Sequence, residues 1–378
     1  MGMFQIQLHF SKIKFHDTAF EMGGVKFDPQ KIHPLPNFAL SARDFTPSPR
    51  APRKDWEFFA SGREAFFRIF ARMKKSGFAG RIFLPRYFCP EAARAVGEIC
   101  KTEFFEDLPS EKSPRFETLR ARAGDAVMAV NFFGLRDMGI WSEWKLRNPG
   151  AILVQNSSHA PFSPRAKGAD FVFGSLRKWL PLPDGGFAEA ENPSEIFARP
   201  ASSIPDFSAD FLAASAARSR GSGWEEFAEK LFYAAEAKIS ARKKPGRMGA
   251  YSFETLARLD IEKLAQRRFA AIRAFAYAAR SNGFFEELAF AGGRAPDIFS
   301  ACCPVLKFRD PRVRDAVYAK LREKKMFAPI YWGGFGEAGS PAARAESATL
   351  MCVPPHFADS EEEAEGFCEF ILGLCAGA

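Results

Sequence analysis

The stretch Phe171-Val172-Phe173-Gly174-Ser175-Leu176-Arg177-Lys178-Trp179-Leu180-Pro181-Leu182-Pro183-Asp184-Gly185-Gly186 decides how this chain is read. Its apolar opening, Asp170 to Phe173, reads as a short buried strand, and Gly186 to Ala190 reads as another. Between them Lys178 stands beside Trp179 in an apolar segment, where an amine loses water. Desolvation disfavours the ammonium form and makes such a lysine a better partner for a carbonyl carbon. Ser175 and Arg177 are of the types that bind phosphate, the arginine through its planar fork. The competing reading is a surface Arg-Lys pair flanking a proline turn. The apolar runs on both sides argue against it.

Upstream, short apolar runs alternate with helix-length segments. Arg81 to Pro85, Asp125 to Asn131 and Ala151 to Gln155 read as strands. Ser61-Gly62 opens a helix to about Lys75, with Phe66, Phe67, Phe70 and Met73 at helical spacing. Pro90 starts another, with Ala93, Val96 and Ile99 on one face. Downstream, residues 207–240 read as helix and a long helix is expected over Phe253 to Asn282. Ala301 to Phe308 and Thr349 to Val353 read as strands, with helices at Pro311 to Lys324 and Ser360 to Leu374. Strands separated by helix-length segments predict an α/β protein, a mostly parallel sheet with helices on both faces. The mixed tail predicts a small α+β C-terminal domain. Residues 1–50 form a distinct arm: Phe4, Ile6, Leu8 and Phe10 alternate as in an edge strand or hairpin arm, and Pro29 to Pro52 reads as extended chain. The division expected is therefore 1–50, 51–250 and 251–378.

Composition excludes some classes and selects none. Apolar residues make up 47% and charged residues 26%, the balance of a water-soluble globular chain. No run nears the roughly 18 apolar residues of a membrane span. Met1 to Phe15 alternates polar and apolar residues, unlike a secretory signal, so a cytoplasmic protein is expected. The seven cysteines form no CxxC and the five histidines keep no metal-ligand spacing with them, so buried free thiols are expected. The net charge of +8 is dispersed and accompanies no nucleic-acid motif; a phosphorylated small substrate suits it as well. The basic cluster Arg242, Lys243, Lys244 and Arg247 reads as a solvated loop. The 42 Phe against 6 Tyr have no evident physical reason in the sequence.

Three further segments lie at helix starts or strand ends, where open α/β sheets place ligands. Ser61-Gly62-Arg63 opens a helix, and free N–H groups there suit a phosphate; a plain N-cap serine with a permissive glycine gives the same pattern. Asn131 follows a strand, and Gly134 lets the chain turn. Gln155-Asn156-Ser157-Ser158-His159 puts consecutive polar groups just past another strand, although His159 alone also fits a buried histidine bonded to backbone.

Taken in order, these segments resemble the DegT/DnrJ/EryC1/StrS aminotransferases, fold-type-I enzymes dependent on pyridoxal 5'-phosphate (PLP), and particularly a less-studied branch of them. The likeness is carried by 171–186, FASGREAFFRI (59–69), LPRYFCPEAARAV (84–96), MAVNFFGLRD (128–137) and VQNSSHAPFS (154–163). Glu21-Met22-Gly23-Gly24, GAYSFETLARLDIEKLAQRR (249–268) and LMCVPPHFADSEEEAEGFCEFI (350–371) extend it over most of the chain. The resemblance implies the aspartate-aminotransferase-like fold and a homodimer with active sites at the interface. It implies transfer of an amino group to a keto-sugar or related small carbonyl compound, with a nucleotide sugar or amino acid as substrate. Lys178 matches the Schiff-base lysine. Gly62 and the amides after it match the phosphate turn, helped by Ser175 and Arg177. Asn131 and His159 match positions near the cofactor ring and its phenolic oxygen, and the stacking aromatic falls near Tyr87-Phe88-Cys89. Asn156 departs from the pattern, standing where the family carries the aspartate that pairs with the pyridine nitrogen. An amide gives a hydrogen bond but no charge, which leaves a second reading: a PLP-fold binding or regulatory protein with weakened catalysis. A nucleic-acid-binding protein is a third, resting on charge alone.

Overall fold

The computed structural model describes residues 20–22, 25–27, 53–220, 223–291, 297–324, 326, 328–332, 339–354, 358 and 360–378. The edge strand or hairpin arm expected at Phe4 to Phe10 and the extended stretch from Pro29 lie outside them. In chain order the strands and helices begin with β1 (Phe20–Met22), β2 (Val25–Phe27), β3 (Trp56–Phe59), α1 (Gly62–Lys75), β4 (Ile82–Pro85), α2 (Pro90–Gly97) and β5 (Thr102–Phe105). They continue with β6 (Ala126–Val130), α3 (Gly139–Arg147), β7 (Ile152–Asn156), β8 (Phe171–Ser175), β9 (Gly186–Glu189), α4 (Asp206–Arg218) and α5 (Glu225–Ala241). The remainder is α6 (Ala250–Leu256), α7 (Ile261–Ala278), β10 (Phe285–Glu287), α8 (Leu288–Ala291), β11 (Val305–Phe308), α9 (Pro311–Glu323), α10 (Pro341–Thr349), β12 (Leu350–Cys352) and α11 (Glu361–Ala376).

Seven strands form the main sheet in the order β3-β9-β8-β7-β6-β4-β5. The five from β8 to β5 run parallel, while β9 is antiparallel to both β8 and β3. Every residue of β3, β4 and β6 is buried, so both faces of the sheet are covered there. The core beneath is rich in phenylalanine and tryptophan. Trp56, for example, stacks on Phe187 at 4.0 Å and on Phe162 at 5.9 Å. A second core joins α7, α9 and α11 to the antiparallel sheet β10-β11-β12 through Phe275, Leu306, Phe308, Leu321, Phe367 and Ile371. Among the described residues no helix is long and apolar enough to cross a membrane.

Several expected elements differ in detail. The long helix expected over 253–282 is two helices, because Asp260 caps the second by accepting the Lys263 N–H at 3.0 Å. An aspartate that captures a backbone N–H ends one helix and starts the next. The 207–240 helix is likewise split into α4 and α5, with Gly223 at φ 94 just before the second. Ile99 falls beyond α2 and is 38% exposed, so only Ala93 and Val96 form its buried face. Strand β11 begins at Val305, not Ala301. All seven cysteines are free thiols, but Cys89 and Cys100 are part-exposed where buried ones were expected.

Candidate active site

The carboxyl ends of β4, β6, β7 and β8 open onto one cavity of about 820 Å³. Its walls hold Lys178 together with Ser61, Gly62, Arg63, Phe88, Cys89, Asn131, Asn156, His159, Ser175 and Arg177. These residues, each singled out in the sequence, therefore meet in one place, on the side of the sheet where doubly wound folds bind ligands.

Backbone bonds explain the meeting of 61–63 with 175–178. The lysine loop closes on itself, Leu176 N–H to Gly185 O at 3.0 Å, and Gly185 N–H donates to Ala60 O at 2.8 Å. These segments touch closely at glycines, and at Gly186 no side chain fits. A Cβ on Gly186 would lie 2.2 Å from Ser61 O, and one on Gly62 would lie 3.1 Å from Gly174 O. Asp184 clasps the far side of the loop, accepting from Ser208 Oγ (2.8 Å), Ser252 Oγ (2.9 Å) and Gly249 N–H (2.9 Å). Trp179 is buried next to Lys178, with the Arg268 guanidinium 4.0 Å over its ring.

Lys178 is half-buried, with Nζ 3.3 Å from His159 Nε2. Burial holds its amine below the ordinary lysine value. His159 is buried and its imidazole is held well below its usual value, by burial first and by the neighbouring Lys178 second. The histidine is gripped from the turn after β6. Phe133 donates its N–H to His159 Nδ1 at 3.3 Å and lays its ring flat on the imidazole, centroids 5.0 Å apart at 9°. To do so Phe133 takes φ 53, a left-handed conformation costing a bulky side chain about 1–2 kcal/mol. Gly134 completes the turn at φ 78, where a Cβ would lie 1.7 Å from Ser300 O.

The other residues divide by what they already hold. Ser61 caps α1, with Oγ accepting the Glu64 N–H (3.3 Å) and donating to the Glu64 carboxylate (3.1 Å). Glu64 is itself buried and paired with Arg242 at 2.6 Å. The Ser61 hydroxyl is thus committed, and what α1 offers a ligand is backbone N–H groups. Arg177 pairs with Glu236 at 2.8 Å and sits 4.5 Å over the Phe211 ring, so its charge is matched within the protein. Among the described residues Ser175 has no side-chain hydrogen bond. Asn131 Oδ1 accepts the Arg136 N–H at 3.2 Å, and Asn156 Oδ1 accepts the Ser158 N–H at 3.0 Å. Gln155 points away into a buried net with Ser157, Pro164 and Ala166. Of Tyr87-Phe88-Cys89, the first is buried outside the cavity and donates to Tyr331 O, leaving Phe88 and Cys89 on its wall. Burial pushes the Cys89 thiol up, and Lys178 partly offsets this.

Sequence reasoning missed the wall contributed from further down the chain. Trp332 lies nearly parallel to His159 at 5.9 Å, and Tyr331 tilts against it at 5.4 Å. Arg268 donates to the backbone oxygens of Trp179 and Cys302, and burial lowers its guanidinium to about 10. Arg63, Arg94, Arg267, Arg268 and Arg322 face the cavity against the carboxylates of Glu91 and Glu236, giving a cationic lining suited to an anionic ligand. Of these arginines Arg63 was singled out in the sequence, and the adjacent pair Arg267-Arg268 on α7 is a further trace there.

No protein-family model matches the chain, and no curated protein matches it by sequence. Solved structures do match by shape. A DegT DnrJ EryC1 StrS aminotransferase from Brucella abortus aligns at TM-score 0.52 and 16% identity, covering 85% of each chain. Helicobacter pylori PseC, an aminotransferase involved in the biosynthesis of pseudoaminic acid, aligns at TM-score 0.58 and 11% identity, over 85% of this chain and 87% of its own. SPT with a PLP internal aldimine aligns at 0.52 and 13%, over 87% of this chain and 74% of its own. The chain has the fold of the PLP-dependent aminotransferases, and the sugar aminotransferases are among the structures it is similar to.

Proposed function

We propose that this protein is a PLP-dependent aminotransferase that delivers an amino group to a keto-sugar or related small carbonyl compound, with Lys178 holding the cofactor. The observation that carries the reading is the Lys178 amine, 3.3 Å from His159, in a cavity at the carboxyl ends of parallel strands beside the α1 N-terminus. The residues suit the cofactor in kind. Gly62, Arg63 and the following amides of a 14-residue helix, with the Ser175 hydroxyl, would hold the phosphate. Asn131 and His159 would lie by the ring and its phenolic oxygen, Phe88 or Cys89 by its face, and Asn156 by its pyridine nitrogen. When bound, PLP supplies an electron sink for charge developing at the amino-bearing carbon. Lys178 serves as covalent anchor and as carrier of the proton at that carbon. The cationic lining favours an anionic substrate such as a nucleotide sugar or an amino acid.

The same reading takes 51–250 as the cofactor domain, 251–378 as the smaller domain and a cytoplasmic homodimer as the working form. One observation favours a second reading, a PLP-binding or regulatory protein with weakened catalysis: Asn156 brings no negative charge to the pyridine nitrogen. The test is borohydride reduction of PLP-loaded protein followed by peptide mapping. The expected result is a visible absorbance lost on reduction and a pyridoxyl group on Lys178. A label on another lysine overturns the assignment, and Lys178→Ala should lose the adduct while keeping the fold.

A further inference from the structure

Two hydrogen-bond contacts of His159, taken together, fix more than its position. Phe133 can only donate through its backbone N–H, so the Nδ1 it meets at 3.3 Å must be the acceptor nitrogen of the ring. A neutral imidazole with a bare Nδ1 carries its proton on Nε2. That Nε2 lies 3.3 Å from Lys178 Nζ. A lysine ammonium has three donors and no acceptor, so facing an Nε2–H it would set donor against donor. Only the neutral amine has a lone pair to receive that proton.

We propose that His159, its tautomer set by the Phe133 N–H, is a positioning residue that holds Lys178 as the neutral amine, oriented for addition to a carbonyl carbon. The ring cannot answer by exchanging nitrogens. It lies flat against Phe133 and close to parallel with Trp332, and the other tautomer would oppose two N–H groups at Phe133. The left-handed Phe133 aims the N–H, and its own carbonyl is held by the Cys302 N–H at 3.0 Å. The remaining groups facing the amine are Cys89, Arg177, Glu236 and Cys302, of which Arg177 and Glu236 pair with each other. Burial acts in the same direction, lowering both the imidazole and the amine. In the reaction this prepares, Nζ bonds to the carbonyl carbon and the oxygen leaves as water with the two amine hydrogens.

The inference rests on the reading of Lys178 as a carbonyl-binding amine, but its test needs no cofactor. The full-length chain is first cleared of cofactor with hydroxylamine. Long-range proton–nitrogen spectra of protein labelled with ¹⁵N-histidine should show His159 bare at Nδ1 and protonated at Nε2; a protonated Nδ1 overturns the proposal. Trace labelling with acetic anhydride across pH, with the Lys178 peptide quantified by mass spectrometry, then gives the pKa of that amine. His159→Asn keeps an oxygen acceptor near the Nδ1 position for Phe133 and removes the Nε2–H. The amine pKa should rise by about one unit in the variant, the worth of one hydrogen bond, lowering its reactivity about tenfold at neutral pH. An unchanged pKa overturns the proposal in favour of burial alone. If the variant does not fold, the tautomer of the parent decides. Failure of the cofactor reading would appear separately, as no pyridoxyl label on Lys178 in a protein whose His159 tautomer is as stated.

Discussion

Asn156→Asp is the substitution that bears most directly on whether this cavity transaminates. Asn156 ends β7 with its Oδ1 bonded to the Ser158 N–H at 3.0 Å. That bond settles which way the amide points, since Nδ2 against an N–H would oppose two donors. The Nδ2 donor is therefore what the side chain has left to offer on a cavity wall, and a donor matches an unprotonated pyridine nitrogen. Aspartate keeps the shape and the Ser158 bond and replaces Nδ2 with an oxygen sharing a full negative charge. A unit charge about 4 Å from a cation at an effective dielectric near 20 is worth about 4 kcal/mol, or about three pKa units. Residue 156 is half-buried, so the new carboxylate also gives up some water. Taking about one unit for that desolvation leaves a rise of about two units at the pyridine nitrogen. The assay is the ¹⁵N signal of labelled PLP against pH in both proteins, with the rate of half-transamination by glutamate measured alongside. The parent should hold a neutral nitrogen and react slowly; the variant should titrate higher and react faster. Identical titrations, or a parent already protonated at neutral pH, would refute the electrostatic account. If neither protein reacts with any amino donor though both bind PLP, the binding-protein reading gains.

Two other substitutions test the frame of the site. In Gly62→Val the first added carbon already falls 3.1 Å from Gly174 O and 3.2 Å from Ser175 Cβ, and the branches must push α1 off β8. The expected cost is about 1–3 kcal/mol in chemical denaturation, with PLP affinity lowered about tenfold or more in a fluorescence titration; undiminished affinity would put the phosphate elsewhere. Arg136→Met strands the buried Asp107 carboxylate, now held at 2.5 Å, and should cost about 3–5 kcal/mol by the same denaturation measurement. A loss below about 1 kcal/mol would show that this pair does not brace the turn carrying Asn131 and Phe133.

The parallel part of the sheet was legible because its strands, such as 126–130 and 152–156, are short apolar runs with helix-length connections. The edges were harder. β5, Thr102–Phe105, mixes polar with apolar residues and is largely half-buried, so it leaves little pattern. The strand β3 pairs antiparallel with β9, a partner more than a hundred residues away that no local periodicity can indicate. The site divides along the same line. Lys178, His159, Asn131 and Asn156 follow strand ends and stand out as polar groups where an apolar run stops. Tyr331, Trp332 and Arg268 come from a loop and a helix of ordinary appearance, and only the folded chain brings them to His159 and Trp179. Side-chain identity alone also does not tell use: Arg177 has the chemistry to bind phosphate and is paired with Glu236 in the folded chain, while the Ser61 hydroxyl is engaged with Glu64.

The Asp184 clasp has a consequence for the order in which the protein becomes competent. The last strand of the seven-stranded sheet ends at Glu189, so all seven strands have been synthesised by then. The groups that immobilise the lysine loop come later: Ser208, Gly249 and Ser252 on Asp184, then Arg268 on the Trp179 carbonyl. Arg268 in turn bonds to Cys302 O, and Phe133 lends its carbonyl to the Cys302 N–H. A ribosome-bound chain therefore contains its whole sheet more than a hundred residues before the Lys178 loop and His159 gain all of these restraints. A chain cut short before Cys302 would keep all seven strands and lose the last of these contacts.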